Sequence, residues 1–445
     1  MMKTSRPPLK LVILITASIC IFFQSHSPKA QALKASGFDK ERGHDMISQI
    51  KSDMKKNYYD PSFHGMDIET RFREADEKIN TATSIGHIFG IIAQALIELE
   101  DSHTFFLPPG RSARTEYGFE MQMIGDQCFA TAVLPGSDAE AKGLKEGDEI
   151  WKINDFAPAR ENFWKIEYYF KALRPQPGMQ LTIKRPSGKE EQLVVMAKIT
   201  ERKRVMDLTG GGDIWDLVRE GENSAHLNRQ RYVEMGDDLF IWKMPHFQLE
   251  DGEIDNMMGK VRKHKALILD LRGNGGGYVK TLERLAGYFF DHDVKIADRK
   301  GQKEMKPQLA KTQGGSVFKG QLVVLVDSRS ASAAEIFARL IQLEHRGTVL
   351  GDRSEGAVME SRQFPHKSGI DVVAFWGVSI TDADVIMGDG KSLEKTGVNV
   401  DELILPNAAD LAAKRDPVLA RAAELVGVKL ESAKAGALFP IEWRK

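Results

Sequence analysis

Apolar residues along this chain follow three successive rhythms. Over residues 33–108 they recur at helical spacing, in Phe38 to Tyr59 and Ile68 to Leu99. Gly and Pro are scarce inside both runs, which predicts a helical segment. From 117 to 200 the runs shorten and turn signals multiply, which predicts a small β-rich module. Phe129 to Leu134 reads as a strand, Pro135-Gly136-Ser137 as a turn, and Ala139 to Leu144 as a short helix closed by glycine. Glu146 to Asn154 reads as a turn into another strand, and Met179 to Lys184 with Glu191 to Met196 as a hairpin around Pro186-Ser187-Gly188. From Asp238 onward, strands at 239–244, 266–271, 322–326, 348–350 and 372–378 alternate with helical stretches, which predicts an α/β layer. The charged segment Asp293 to Gln313 is expected to be a surface excursion. These shifts divide the chain into a helical segment at 33–110, a module at 115–200, a polar connector at 201–235, an α/β core at 236–410 and a C-terminal helical segment at 411–445.

Residues 1–32 stand apart from this pattern. Lys3, Arg6 and Lys10 precede the apolar run Leu11 to Phe23, and Ala30-Gln31-Ala32 follows a polar stretch. This is the three-part form of a secretory signal, with cleavage expected before Leu33 and a periplasmic or secreted destination. The run is short for a membrane span, so an uncleaved anchor is the lesser alternative. The 445 residues, 42% of them hydrophobic, are enough for two or three domains. A net charge of -1 gives no basic signature for nucleic acid. Removing residues 1–32 takes away four cations and no acids, leaving about -5. Cys20 lies in the signal, so Cys128 is alone: it has no disulfide partner and reads as a small buried apolar residue.

Two segments carry candidate chemistry. Ala266 to Leu271 is a buried strand running into Arg272-Gly273-Asn274-Gly275-Gly276-Gly277. Glycines there let backbone N–H groups turn towards a ligand or a developing anion. A dinucleotide fingerprint needs Gly at 278, where Tyr278 stands, and a phosphate loop ending at Gly390-Lys391-Ser392 needs Gly where Val385 stands. No His-Glu-x-x-His run or cysteine cluster suggests a metal. The second segment is Val326 to Glu335, between the strand Leu322 to Leu325 and a helix. A serine in a small-residue turn of this kind has the setting of a nucleophile. Ser332 followed by Glu335 equally fits a helix N-cap, and Ser328 and Ser330 are alternative hydroxyls.

Taken together, Leu269-Asp270-Leu271-Arg272-Gly273-Asn274-Gly275-Gly276-Gly277 and Ser330-Ala331-Ser332-Ala333-Ala334-Glu335 resemble the C-terminal-processing and tricorn-type serine peptidases, peptidase family S41. Leu393-Glu394-Lys395-Thr396-Gly397-Val398 is similar to a later element of that family. The module resembles a PDZ domain, most closely over Pro135 to Asn154, and the likeness spans roughly residues 90 to 410. It implies a multidomain α/β protein with an N-terminal helical segment, a PDZ-like domain and a ClpP/crotonase-like α/β catalytic core.

The resemblance makes Ser332 the nucleophile and assigns the oxyanion hole to the N–H groups of Ala333 and Gly276. One departure matters. Where the C-terminal-processing branch has a lysine base, this chain has Ala357, which takes no proton. The tricorn-like branch uses a histidine from a Ser-His pair, and here Ser102-His103 precedes the module, with Glu394 in the late element. The resemblance therefore implies His103 as general base, held by Ser102 and Glu394. It implies peptide engagement at Tyr117, Gly118 and Phe119, through free C-termini of protein or peptide substrates. It calls for no cofactor, metal or nucleic acid. The expected function is an exported serine endopeptidase. The alternative is a catalytically inactive peptide-binding protein on the same fold.

Overall fold

The computed structural model describes residues 35–111, 113–201, 229–368 and 374–443. The expected signal segment and most of the 201–235 connector lie outside the described residues. No helix among the described residues is long and apolar enough to cross a membrane.

Helix α1 (Gly37–Asn57) is capped by Ser36 and buries Met46, Ile47, Ile50 and Met54 on one face. The helical run Ile68 to Leu99 is two helices: α2 (Ile68–Ile79) and α3 (Ile85–Ile97). The break at 80–84 holds neither glycine nor proline, and a side-chain cap opens each helix. Asp67 accepts from the Glu69 and Thr70 N–H groups, and Ser84 accepts from the His87 N–H. The three helices share an apolar core with Phe106, Trp376, Val378 and Ile380, so they cover a sheet of the C-terminal half. The first strand of that sheet, β1 (Phe105–Leu107), follows α3 directly.

The module comes next, in the order β2 (Ala113–Glu116), β3 (Phe119–Ile124), β4 (Gln127–Val133), α4 (Asp138–Ala141), β5 (Glu149–Ile153), α5 (Phe163–Tyr168), β6 (Gly178–Lys184), β7 (Glu190–Met196) and β8 (Lys198–Glu201). Strands β3 to β7 form an antiparallel sheet in sequence order, and β2 pairs with β8. Along β3, Phe119, Met121 and Met123 are buried and alternate with more exposed residues, the period-2 signature of a strand with one apolar face. Cys128 is buried and free, as its lone occurrence predicts.

The core runs β9 (Arg231–Met235), β10 (Leu239–Lys243), α6 (Asp251–Val261), β11 (Ala266–Asp270), α7 (Val279–Ala286), β12 (Val294–Lys300), β13 (Gln308–Ala310), β14 (Gln321–Val326), α8 (Ala333–Leu343), β15 (Thr348–Gly351), β16 (Met359–Ser368), β17 (Ala374–Met387) and β18 (Glu402–Leu403). Helices α9 (Ala408–Ala412), α10 (Pro417–Leu425) and α11 (Ser432–Leu438) close it. Its main sheet has the order β18-β15-β14-β11-β10-β9, with only β9 antiparallel to its neighbour. All five residues of β11 are buried because both faces are covered. Leu267 and Leu269 face the core shared with α6, α7 and α8, while Ala266 and Ile268 face that shared with α10 and α11.

The expectation of a surface excursion at Asp293 to Gln313 is overturned. This segment supplies β12 and β13, which join the second sheet in the order β1-β17-β12-β13, with β16 on the long strand β17. Its charges lie on the outward positions while Val294, Ile296 and Ala297 are buried. One inward charge, Arg299, is paired with Glu360. Because β11 and β14 are parallel neighbours, the Gly-rich loop and the Ser332 loop leave the sheet side by side at its carboxyl edge, the usual place for a site in such sheets.

Candidate active site

Ser332 stands immediately before α8 with φ 54° and ψ -119°. A non-glycine residue at positive φ costs about 1–3 kcal/mol and persists only where its surroundings enforce it. Here they do: the Ser332 N–H donates to Ala357 O at 2.9 Å and to Glu335 Oε2 at 3.0 Å. The first amides of the eleven-residue helix α8 surround the serine with the positive end of its dipole. The neighbouring hydroxyls have other tasks. Ser330 is fully buried and donates to Leu271 O at 2.9 Å, and Ser328 donates to Met123 O in the module.

His103 lies in the turn between α3 and β1. Asp101, nearly fully buried, builds that turn. It accepts from the His103 N–H at 2.9 Å, the Thr104 hydroxyl at 3.0 Å and the Thr381 hydroxyl at 2.7 Å, which ties the turn to β17. Glu394 grips Ser102 twice: Oε1 accepts from its N–H at 2.9 Å and Oε2 from its hydroxyl at 2.8 Å. The single hydroxyl proton of Ser102 is thereby committed to Glu394, so the 2.8 Å contact with His103 Nδ1 requires Nδ1–H to be the donor. Nε2 then carries the lone pair. Desolvation pushes the His103 pKa below the usual 6.5, which keeps the ring neutral. Burial pushes the Glu394 carboxyl upwards, opposed by its Ser102 and Val358 donors.

Ser332 and the His103 relay meet through two consecutive residues. Ala357 takes the Ser332 N–H on its carbonyl, and the N–H of Val358 donates to Glu394 Oε2 at 2.9 Å. Among the described residues, no hydrogen bond joins His103 Nε2 to Ser332 Oγ. The two expected oxyanion amides differ. The Ala333 N–H has no acceptor among the described residues. The Gly276 N–H donates to Asn274 Oδ1 at 2.8 Å, so in this conformation it is not the free donor expected from the sequence. Gly276 nevertheless packs against Ser332: a Cβ there would lie 2.6 Å from Ser332 Cβ.

Several residues of the site were not singled out from the sequence. Asn274 bonds the Ser332 loop by accepting the Ala331 N–H on its carbonyl at 2.9 Å and the core by donating its side-chain amide to Met244 O at 2.9 Å. Asp327 accepts from Gly273 N–H at 2.9 Å and from Gln122 of the module at 2.7 Å. Asn274 and Asp101 each lie inside or beside a quoted motif, and that proximity was the available signal. Of the peptide-binding candidates, Tyr117 bonds Gln176 O at 3.0 Å, Gly118 has φ +71°, and Phe119 opens β3. Further along β3, Arg329 donates to Met121 O at 2.6 Å and to Glu167 of α5 at 3.0 Å, so the Ser332 loop lies along this strand. Among the described residues, no group of His, Cys, Asp or Glu is arranged to hold a metal.

Residues 240–404, which contain Ser332 and Glu394, match the family model of peptidase family S41. Through residues 240–404 the chain contains a segment similar to peptidase family S41. The S41 segment starts at β10, so His103 comes from outside it. The tail-specific protease of Haemophilus influenzae is 24% identical over 340 residues, covering 72% of this chain and 46% of that protein. A probable CtpA-like serine protease of Staphylococcus saprophyticus is 24% identical over 253 residues, covering 56% of this chain and 46% of that protein. The chain thus spans about half the length of the curated relatives it matches. The crystal structure of mature CPAF shares its fold, with a TM-score of 0.63 at 14% identity over 84% of this chain and 94% of the other.

Proposed function

We propose that this S41 chain is an exported serine endopeptidase that cleaves protein or peptide substrates with Ser332, His103, Ser102 and Glu394. The observation that carries the reading is the Glu394–Ser102–His103 chain of hydrogen bonds, which presents a neutral imidazole with Nε2 unprotonated. His103 Nε2 takes the Ser332 hydroxyl proton as Oγ attacks the peptide carbonyl. The imidazolium returns that proton to the departing amine, and water, activated in the same way, releases the acyl group. The Ala333 N–H stabilises the tetrahedral oxyanion. Gly276 joins it when its N–H exchanges Asn274 Oδ1 for the substrate oxygen. Ala357 leaves the dyad of the lysine-using branch without a base, and the histidine relay fills that role.

The module at 115–200 is read as PDZ-like, with Tyr117, Gly118 and Phe119 at the mouth of the groove beside β3. A peptide adding to β3 competes with Arg329 for the Met121 carbonyl. The names of the curated relatives, tail-specific and CtpA-like protease, favour cleavage near chain ends. The inactive-binder alternative leaves the aligned Ser102–Glu394 relay without a purpose. The test is turnover of an unfolded protein substrate by wild type, Ser332→Ala and His103→Ala. Each variant is expected to lose about 10³-fold or more in kcat. Equal turnover by all three overturns the reading.

A further inference from the structure

Glu335 is fully buried, and its carboxylate collects four donors. Oε2 accepts from the N–H groups of Ser332 and Ala357, each at 3.0 Å. Oε1 accepts from the Ser354 hydroxyl at 2.6 Å and the Gly356 N–H at 2.8 Å. Ser354 in turn accepts from the Val398 N–H at 2.6 Å, and the Lys395 N–H donates to Gly356 O at 2.7 Å. These contacts reach the segment that carries Glu394. A helix cap needs only the first of them; the other three reach across to the 354–357 turn.

We propose that Glu335 is a positioning residue that latches the strained Ser332 backbone to the 354–357 turn and so sets the nucleophile's distance from the His103 relay. The proposal rests on the peptidase reading above. Ala357 and Val358 are adjacent, and their amides bind different carboxylates: Glu335 on the nucleophile side and Glu394 on the base side. Any slack in the Glu335 contacts passes directly into the separation of Ser332 from His103. Four donors suit the ionised carboxylate best: a proton on Oε2 confronts two N–H groups, and a proton on Oε1 obliges the Ser354 hydroxyl to turn from donor to acceptor. Burial pushes this carboxyl up to about 8 despite its donors, and the Glu355 carboxylate of the same turn adds to the rise. The latch therefore closes as the pH rises through that value.

The experiment compares kcat and KM across pH for wild type and Glu335→Gln, with Ser332→Ala as the blank. Glutamine keeps the size but replaces one acceptor oxygen with a donor. The expected result is a fall of about 10- to 100-fold in kcat with KM within about 2-fold. The wild-type kcat step near pH 8 is also expected to vanish in the variant, while the His103 step below 6.5 remains. An unchanged kcat with the upper step retained overturns the proposal. Should Glu335→Gln fail to fold, Ser354→Ala removes one contact and is expected to give a smaller loss of the same kind; no loss again overturns it. Hydrogen exchange at the Gly356 and Ala357 amides decides independently of activity. Faster exchange in Glu335→Gln supports the latch and equal exchange refutes it. Wild-type activity no higher than that of Ser332→Ala would instead count against the peptidase reading itself.

Discussion

Ser332 and Gly276 face each other across the site, each at positive φ, and their contact leaves no room for a side chain. A Cβ on Gly276, at φ +89°, would meet Ser332 Cβ at 2.6 Å and Ala331 O at 2.9 Å. Gly276→Ala is therefore expected to lower stability by about 2–4 kcal/mol in a denaturant titration. It is also expected to abolish reaction at Ser332; an unperturbed, active variant would contradict the packing. Ser332, Ser102, His103 and Glu394 stand out as candidates because the residue types sit in recognisable runs, and three of them, Ser102, His103 and Glu394, are hydrogen-bonded together. The commitment of the Gly276 N–H to Asn274 was not legible. Which acceptor an amide chooses depends on loop geometry that no run of residues encodes.

The end of β11 is held by a charged network rather than by packing alone. Asp270, buried at the last position of the strand, takes Arg272 Nε at 2.9 Å and NH2 at 2.8 Å, and also Lys243 at 3.2 Å. Arg272 continues to Asp416 with contacts of 2.7 and 2.9 Å. Desolvation alone would raise the Asp270 pKa, but Arg272 and Lys243 outweigh it and hold the group far below 3.8. Its folded value is depressed, so its contribution to stability is present above pH 3.8 and is lost as pH falls below it. Asp270→Ala strands Arg272 and Lys243 and is expected to cost about 3–5 kcal/mol near neutral pH. It should also flatten stability against pH in the acid range, which thermal melts from pH 6 to 3 will measure. Element type was read well where burial is two-sided, as in β11 and β14. It was misread at Asp293 to Gln313, where outward charges hid two strands; at 80–84 the Ser84 cap interrupts the helical run without glycine or proline.

At the scale of the whole chain, the site is assembled across the module. Ser102 and Glu394 are 292 positions apart yet share two hydrogen bonds, and β3 to β8 lie between them in sequence. The module is fastened close by. Arg160 pairs with the mostly buried Asp352 and donates to Gly125 O at 2.7 Å, while Gln122 reaches Asp327. Long-range closure of this kind cannot be read from local periodicity. The order of motifs along the chain suggested it, and the pairing of β1 with β17 accomplishes it. The most direct test of the central claim is fluorophosphonate labelling followed by mass mapping of the adduct. A single adduct on Ser332 is expected, absent in Ser332→Ala and slowed about 10²-fold or more in His103→Ala. An adduct on another serine, or equal labelling of all three proteins, would contradict the account.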